Sequence, residues 1–114
     1  MNDLKLRTKR FALDVIKFYS HLPGKAEFQV VGRQLIRSAT SVAANYRAVC
    51  RAKSKADFVN KLSIVEEEAD ESGFWLEMIA EMRCADKVEL DRLINEASQL
   101  TAIMVTSKKT ARGN

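Results

Sequence analysis

Proton transfer, nucleophilic attack and metal binding each need several chemically competent side chains brought to one point. The 114-residue sequence offers few that could converge. Its one histidine, His21, stands where a helix is expected to end, and there it reads as a partner for the helix's C-terminal carbonyls. The two cysteines, Cys50 and Cys84, are too far apart in sequence for a metal or redox spacing and read as free thiols. A di-iron site in a helical bundle would need two Glu-x-x-His pairs, and one histidine cannot supply them. There is no glycine-rich phosphate loop, and no Ser/His/Asp or Cys/His set that avoids His21. Catalysis, a metal, a cofactor and a small-molecule substrate are therefore not expected.

Two other groups of residues stand out. The first is basic: Arg47, Arg51, Lys53 and Lys55, with Lys61 beyond, and with Arg7, Lys9, Arg10, Lys108 and Lys109 adding to them. Clustered cations of this kind attract phosphates with little sequence readout, and Tyr46 is the one aromatic nearby that could stack on a base. The second is a polar stripe: Gln34, Arg37, Ser38, Ser41 and Asn45 recur at helical spacing.

The elements that must carry these groups are helices. One proline and four glycines leave little punctuation, and 46% hydrophobic with 30% charged residues suits one core with a wet surface. Leu4, Phe11, Val15, Phe18 and Leu22 mark helix 1, from about Leu4 to His21, with Ala12, Ile16 and Tyr19 widening its stripe. Pro23-Gly24 stops it. Helix 2 is expected from Ala26 to Ala52, with a seam of Phe28, Val31, Leu35, Ser38, Val42, Asn45 and Val49. Ser54 caps helix 3, whose seam runs from Phe58 through Leu62, Val65, Ala69, Ser72 and Leu76 to Ile79, ending near Cys84. Asp86 caps helix 4, with Glu89 in capping-box position and Leu90, Leu93, Ala97, Leu100 and Met104 as its stripe.

The fold class expected is all-α: an antiparallel up-down four-helix bundle with a long helix 2–helix 3 hairpin. Residues 1–107 form the bundle and residues 108–114 a basic flexible tail. Folding helix 3 back at Lys53-Ser54 sets Arg37 between packed helices, opposite Glu67, Glu68 or Glu71, since an unpaired buried arginine is costly. The stripe then reads as an ion pair and small residues that set helix register. No stretch approaches the ~18 apolar residues of a membrane span, and no signal peptide is evident, so a cytoplasmic protein is expected.

The segment from Arg33 to Ile79 resembles the bacterial "four helix bundle protein" family, which includes proteins encoded within intervening sequences of large-subunit ribosomal RNA genes. The resemblance rests on Gln34 to Asn45 (Gln-Leu-x-Arg-Ser-Ala-x-Ser-Val-x-Ala-Asn), Phe58 to Leu62, and Glu68 to Leu76. It departs at Asn45-Tyr46-Arg47-Ala48-Val49, where many members carry Asn-Ile-x-Glu-Gly. The resemblance implies an up-down bundle and a homo-oligomeric ring, with five subunits the expected count. It also implies structural similarity to the accessory protein of diversity-generating retroelements, which binds a reverse transcriptase and nucleic acid.

Charge and apolar patterning also favour association. Residues 1–61 hold 13 Lys/Arg against 4 Asp/Glu, a net of +9, while residues 62–107 hold 3 against 11, a net of −8. Tyr46, Cys50, Val59, Ile64, Phe74, Trp75, Met78 and Met82 exceed what one small bundle can bury. The function expected is a ring-forming nucleic-acid-binding or ribonucleoprotein accessory protein, with RNA or DNA as partner. The alternative is a structural or protein-interaction scaffold whose charges serve assembly or cancel internally.

Overall fold

The computed structural model describes residues 2–83 and 86–113. These form four helices, α1 (Asn2–Tyr19), α2 (Ala26–Val49), α3 (Lys55–Met82) and α4 (Lys87–Arg112), packed up-down in a bundle 46 × 21 × 21 Å. Each helix packs beside its chain neighbour, and α1 also meets α4, so α1 and α3 occupy diagonal corners. Phe11, Val15, Leu35, Leu62, Leu76, Leu93, Leu100 and Met104 fill the core.

Local chemistry explains the element ends. Ser54 accepts the amide of Asp57, and the Asp57 carboxylate accepts the Lys53 amide, which together close the start of α3. Asp86 accepts the amides of Val88 and Glu89 at the start of α4. The Glu89 carboxylate, expected in the capping box, accepts from Arg92. Helix α2 stops at Val49 rather than Ala52, because the amides of Arg51 and Ala52 turn back three residues to Ala48 and Val49. Arg83, in the left-handed region at φ 57°, closes α3. Cys84 lies outside the described residues.

Helices α2 and α3 approach through a layer of small residues. Ser38 and Ser72 are fully buried, with Ser72 Oγ 3.0 Å from Ser38 Oγ, and Ala39 and Ala69 lie beside them. Ser38 donates to the Leu35 carbonyl, and the Glu68 carbonyl lies 2.8 Å from Ser72 Oγ, so the buried hydroxyls are satisfied. Helices α1 and α2 approach closely at Gly32, where a side chain would strike the Tyr19 ring. The Tyr19 hydroxyl donates to Gln29 and fixes that ring.

The rest of the polar stripe sits differently from expectation. Arg37 reaches Glu71 and Glu68, and its Nε also donates to Gln34, but its side chain is 49% exposed. The pair bridges the outer rim of the hairpin, not the packed interior. Glu67 is exposed and makes no ion pair among the described residues. Asn45 donates to the hydroxyl and carbonyl of Ser41 on its own helix, and Tyr46, 4% exposed, takes the seam position assigned to Asn45. One residue is a 100° turn of the helix, which moves the tyrosine inward and the asparagine to the edge. Ile16, expected in the core stripe, is exposed.

The C-terminal residues correct the expected tail. Helix α4 continues through Arg112, and Gly113 closes it at φ 80°. Lys108 pairs with Glu66 of α3 at 2.6 Å and lies 3.2 Å from the Ser63 hydroxyl, which holds the last turns against the hairpin.

Two measurements check this packing. Gly32→Ala gains helix propensity but overpacks against Tyr19, so we expect a net loss of about 1–2 kcal/mol in urea unfolding. In a Tyr19→Ala background the same change should be neutral or stabilising. The second concerns Glu71, whose carboxylate accepts from the Trp75 indole at 2.9 Å and from Arg37. Those two bonds, the indole first, hold it below the ordinary 4.5. The stability it contributes is present above the unfolded value and is lost as pH falls through the lower folded one. Its side-chain carboxyl resonance should titrate below 4.5, and Trp75→Phe should move the midpoint up.

Candidate nucleic-acid interface

Helix lengths create the site. At ~1.5 Å per residue α1 is about 27 Å long and α3 about 42 Å. Arg7 of α1 pairs with Glu96 at 2.7 Å and bonds Gln99, which sets the first turns of α1 level with the middle of α4. The end holding the α2–α3 turn therefore projects beyond α1 as three helices, around the buried Tyr46, Val49, Leu62 and Met104.

Cations from all three helices meet there. Arg47 on the last turn of α2 and Arg51 in the turn that follows line a shallow cleft of about 280 Å³, with Ala44, Ala48 and, from α3, Lys61. Lys55 of α3 and Arg112 of α4 line a second cleft of about 490 Å³ with Ala56, Val59 and Asn60. Lys53 stands exposed in the turn, and Lys109 is exposed on the last turns of α4. Arg47, Arg51, Lys53, Lys55, Lys109 and Arg112 are all exposed, and among the described residues none makes an ion pair.

Three of the sequence candidates are committed elsewhere. Lys61 holds both Asp57 carboxylate oxygens at 2.6 Å, and that bond, with the Lys53 amide, holds the Asp57 carboxyl below its usual range. Lys108 is tied to Glu66. Arg7 is absorbed by Glu96, while Lys9 and Arg10 lie on the outer face of α1. Tyr46, the aromatic candidate, is inside the core, so no base can stack on it. Arg112 was not among the residues singled out. With the C-terminus read as a tail, nothing in the sequence placed it beside Lys55.

Helix dipoles account for part of this cluster. Arg47, Lys109 and Arg112 lie in the last turns of α2 and α4, where the partial negative charge favours cations. Lys53 and Lys55 flank the N-cap of α3, where the dipole disfavours them. The Lys53 charge is offset in part by the Asp57 carboxylate close by, while the dipole gives no reason for Lys55.

The opposite end is charged too, and several of its charges pair with one another. Its cleft, about 630 Å³, is lined by Asp14, Lys17, His21, Glu89 and Arg92 among others. Arg92 bonds Glu89 and Asp14, and both carboxylates, Glu89 first, raise its already high pKa. His21 Nδ1 donates to the Lys17 carbonyl at 2.9 Å, a helix-end role. Among the described residues no cluster of His, Cys, Asp and Glu is arranged to hold a metal, and no helix is long and apolar enough to cross a membrane. Cys50 is a free, exposed thiol.

Comparison with known proteins agrees with this architecture. A crystal structure of a protein of unknown function from the S23 ribosomal protein family of Bacteroides thetaiotaomicron shares the fold, with a TM-score of 0.85 and 29% sequence identity. The match covers 93% of this chain and 98% of that one. No curated protein matches the sequence. Residues 2–106 match the family described as 23S rRNA-intervening sequence protein, and the chain belongs to that family.

Proposed function

We propose that this protein is a non-enzymatic, self-associating bundle that binds nucleic-acid phosphates at its three-helix end. The observation that carries this reading is the gathering of exposed, unpaired cations from α2, the turn, α3 and α4, two of them set against the dipole of α3. Such a surface neutralises phosphates and releases counterions, giving affinity that falls steeply with salt. With Tyr46 buried, the described residues of this end include no exposed aromatic for stacking, so recognition rests on backbone charge and shape. The descriptions of the family and of the Bacteroides neighbour refer to ribosomal RNA and a ribosomal protein, which makes RNA the first polyanion to test.

Self-association multiplies this surface. A closed ring, with five copies the count implied by the family resemblance, would present five basic ends together and raise avidity without new contacts. Exposed Leu6, Leu13, Ile16, Val30, Ile64, Phe74 and Met78 supply apolar area for assembly.

Two experiments test the reading. Replacing Arg47, Arg51, Lys53 and Lys55 together with Ser should weaken RNA binding at least tenfold. It should also reduce the slope of log affinity against log salt by up to about 3 on single strands. Adding Arg112→Ser should weaken binding further, and an unchanged affinity in the quadruple variant would place binding elsewhere. Light scattering on the eluting protein should give a mass near five times 12.9 kDa. A constant 12.9 kDa across micromolar concentrations would remove the ring.

A further inference from the structure

Two separate surfaces of the bundle complement one another. The first is a groove of about 520 Å³ between α3 and α4. Its floor is Ala69, Gly73 and Ala97, small residues where the two helices approach closely, a Cβ on Gly73 lying 3.7 Å from the Ala97 methyl. Phe74, 51% exposed, stands on one wall with its ring edge-on to Trp75 at 4.9 Å. Asp70 and Glu77 form an acidic rim, and neither makes an ion pair among the described residues. The second surface is the outer face of α1. Leu6 is 66% exposed and Leu13 58%, and their seven-residue spacing stacks them opposite Phe11 and Val15. Lys9 and Arg10 are exposed beside them and are likewise in no ion pair among the described residues.

We infer that the α1 face of one copy seats in the α3–α4 groove of a second copy, an interface that rests on the self-association proposed above. Three features make a second copy the occupant. Charge is complementary, since Lys9 and Arg10 would approach Asp70 and Glu77. Length is complementary too: Leu6 and Leu13 are about 10 Å apart along the axis, and the groove from Ala69 to Glu77 runs about 12 Å. Finally, both surfaces expose large apolar side chains that each gain by leaving water. The groove lies on the α3–α4 side and Leu6 and Leu13 on the outward face of α1, so the two surfaces of one copy do not overlap. The contact is therefore head-to-tail, and it closes into a ring or extends into a fibre according to its rotation.

The test uses two full-length variants. Leu6→Asp with Leu13→Asp destroys the α1 face and leaves the groove; Gly73→Leu with Glu77→Lys fills the groove and leaves α1. Each alone should run at the single-chain mass of 12.9 kDa by light scattering, with wild-type helicity. Mixed in equal amounts, they should form a complex of two chains and stop there, since one good face meets one good groove. If Gly73→Leu disturbs folding, Asp70→Lys with Glu77→Lys, which changes exposed carboxylates alone, takes its place. A wild type that stays at single-chain mass removes self-association, leaves the groove to a foreign basic helix and overturns the inference. A wild type that assembles while both variants also assemble keeps self-association and overturns this interface. Variants that fall apart alone but fail to recombine when mixed overturn it as well.

Discussion

The close approach of α2 and α3 at Ser38, Ala39, Ala69 and Ser72 is the contact on which the rest of the molecule depends. Small residues let the helix axes come near, and the two hydroxyls are satisfied by each other and by backbone carbonyls, so the seam carries no unpaired polar group. The hairpin is then a long template. Helix α1 lays Phe11, Val15 and Phe18 along one side of it, and α4 lays Leu93, Ala97, Leu100 and Met104 along the other. Register along the hairpin also brings Arg37 over Glu68 and Glu71 and leaves the three-helix end projecting past α1.

Charge follows the same geometry. Where acidic and basic helices meet, their charges pair across the seams, as in Arg7–Glu96, Arg92–Asp14 and Lys108–Glu66. These pairs are partly exposed, and such surface bridges contribute little stability each. Their larger effect is to sort the charges. Cations that find a carboxylate within the bundle are spent there. Those at the three-helix end are not, because among the described residues Asp57 and Glu66 nearby are already engaged by Lys61 and Lys108. The basic end and the acidic groove rim are among the charged groups that neighbour pairing leaves over.

Much of the architecture was legible in the sequence. The apolar stripes, the stop at Pro23-Gly24, the Ser54 and Asp86 caps and the fold-back of α3 on α2 all express local rules of backbone and side chain. Periodicity also identified Ser38 and Ser72 as seam positions. The basic residues at the turn were legible because they are neighbours in sequence, so their proximity needed no tertiary information.

Only the tertiary structure decided which side of each helix is covered and by what. A stripe gives a direction to within about one residue, or 100°, and that error exchanges Asn45 for Tyr46. It likewise leaves Ile16 outside, since coverage of α1 depends on where α2 and α4 sit around it. Arg37 lies on the rim because its reach, not its position in the stripe, determines where the guanidinium ends. The C-terminal residues looked like a polar tail because their apolar content is low, yet Glu66, distant in sequence, holds Lys108 and with it the last turns of α4. The sequence by itself thus determined the helices, their ends and the turn cations, all set by residues within a few positions of one another. Packing between distant segments determined which cations remain free and which apolar faces remain open, because both depend on partners that local spacing does not encode.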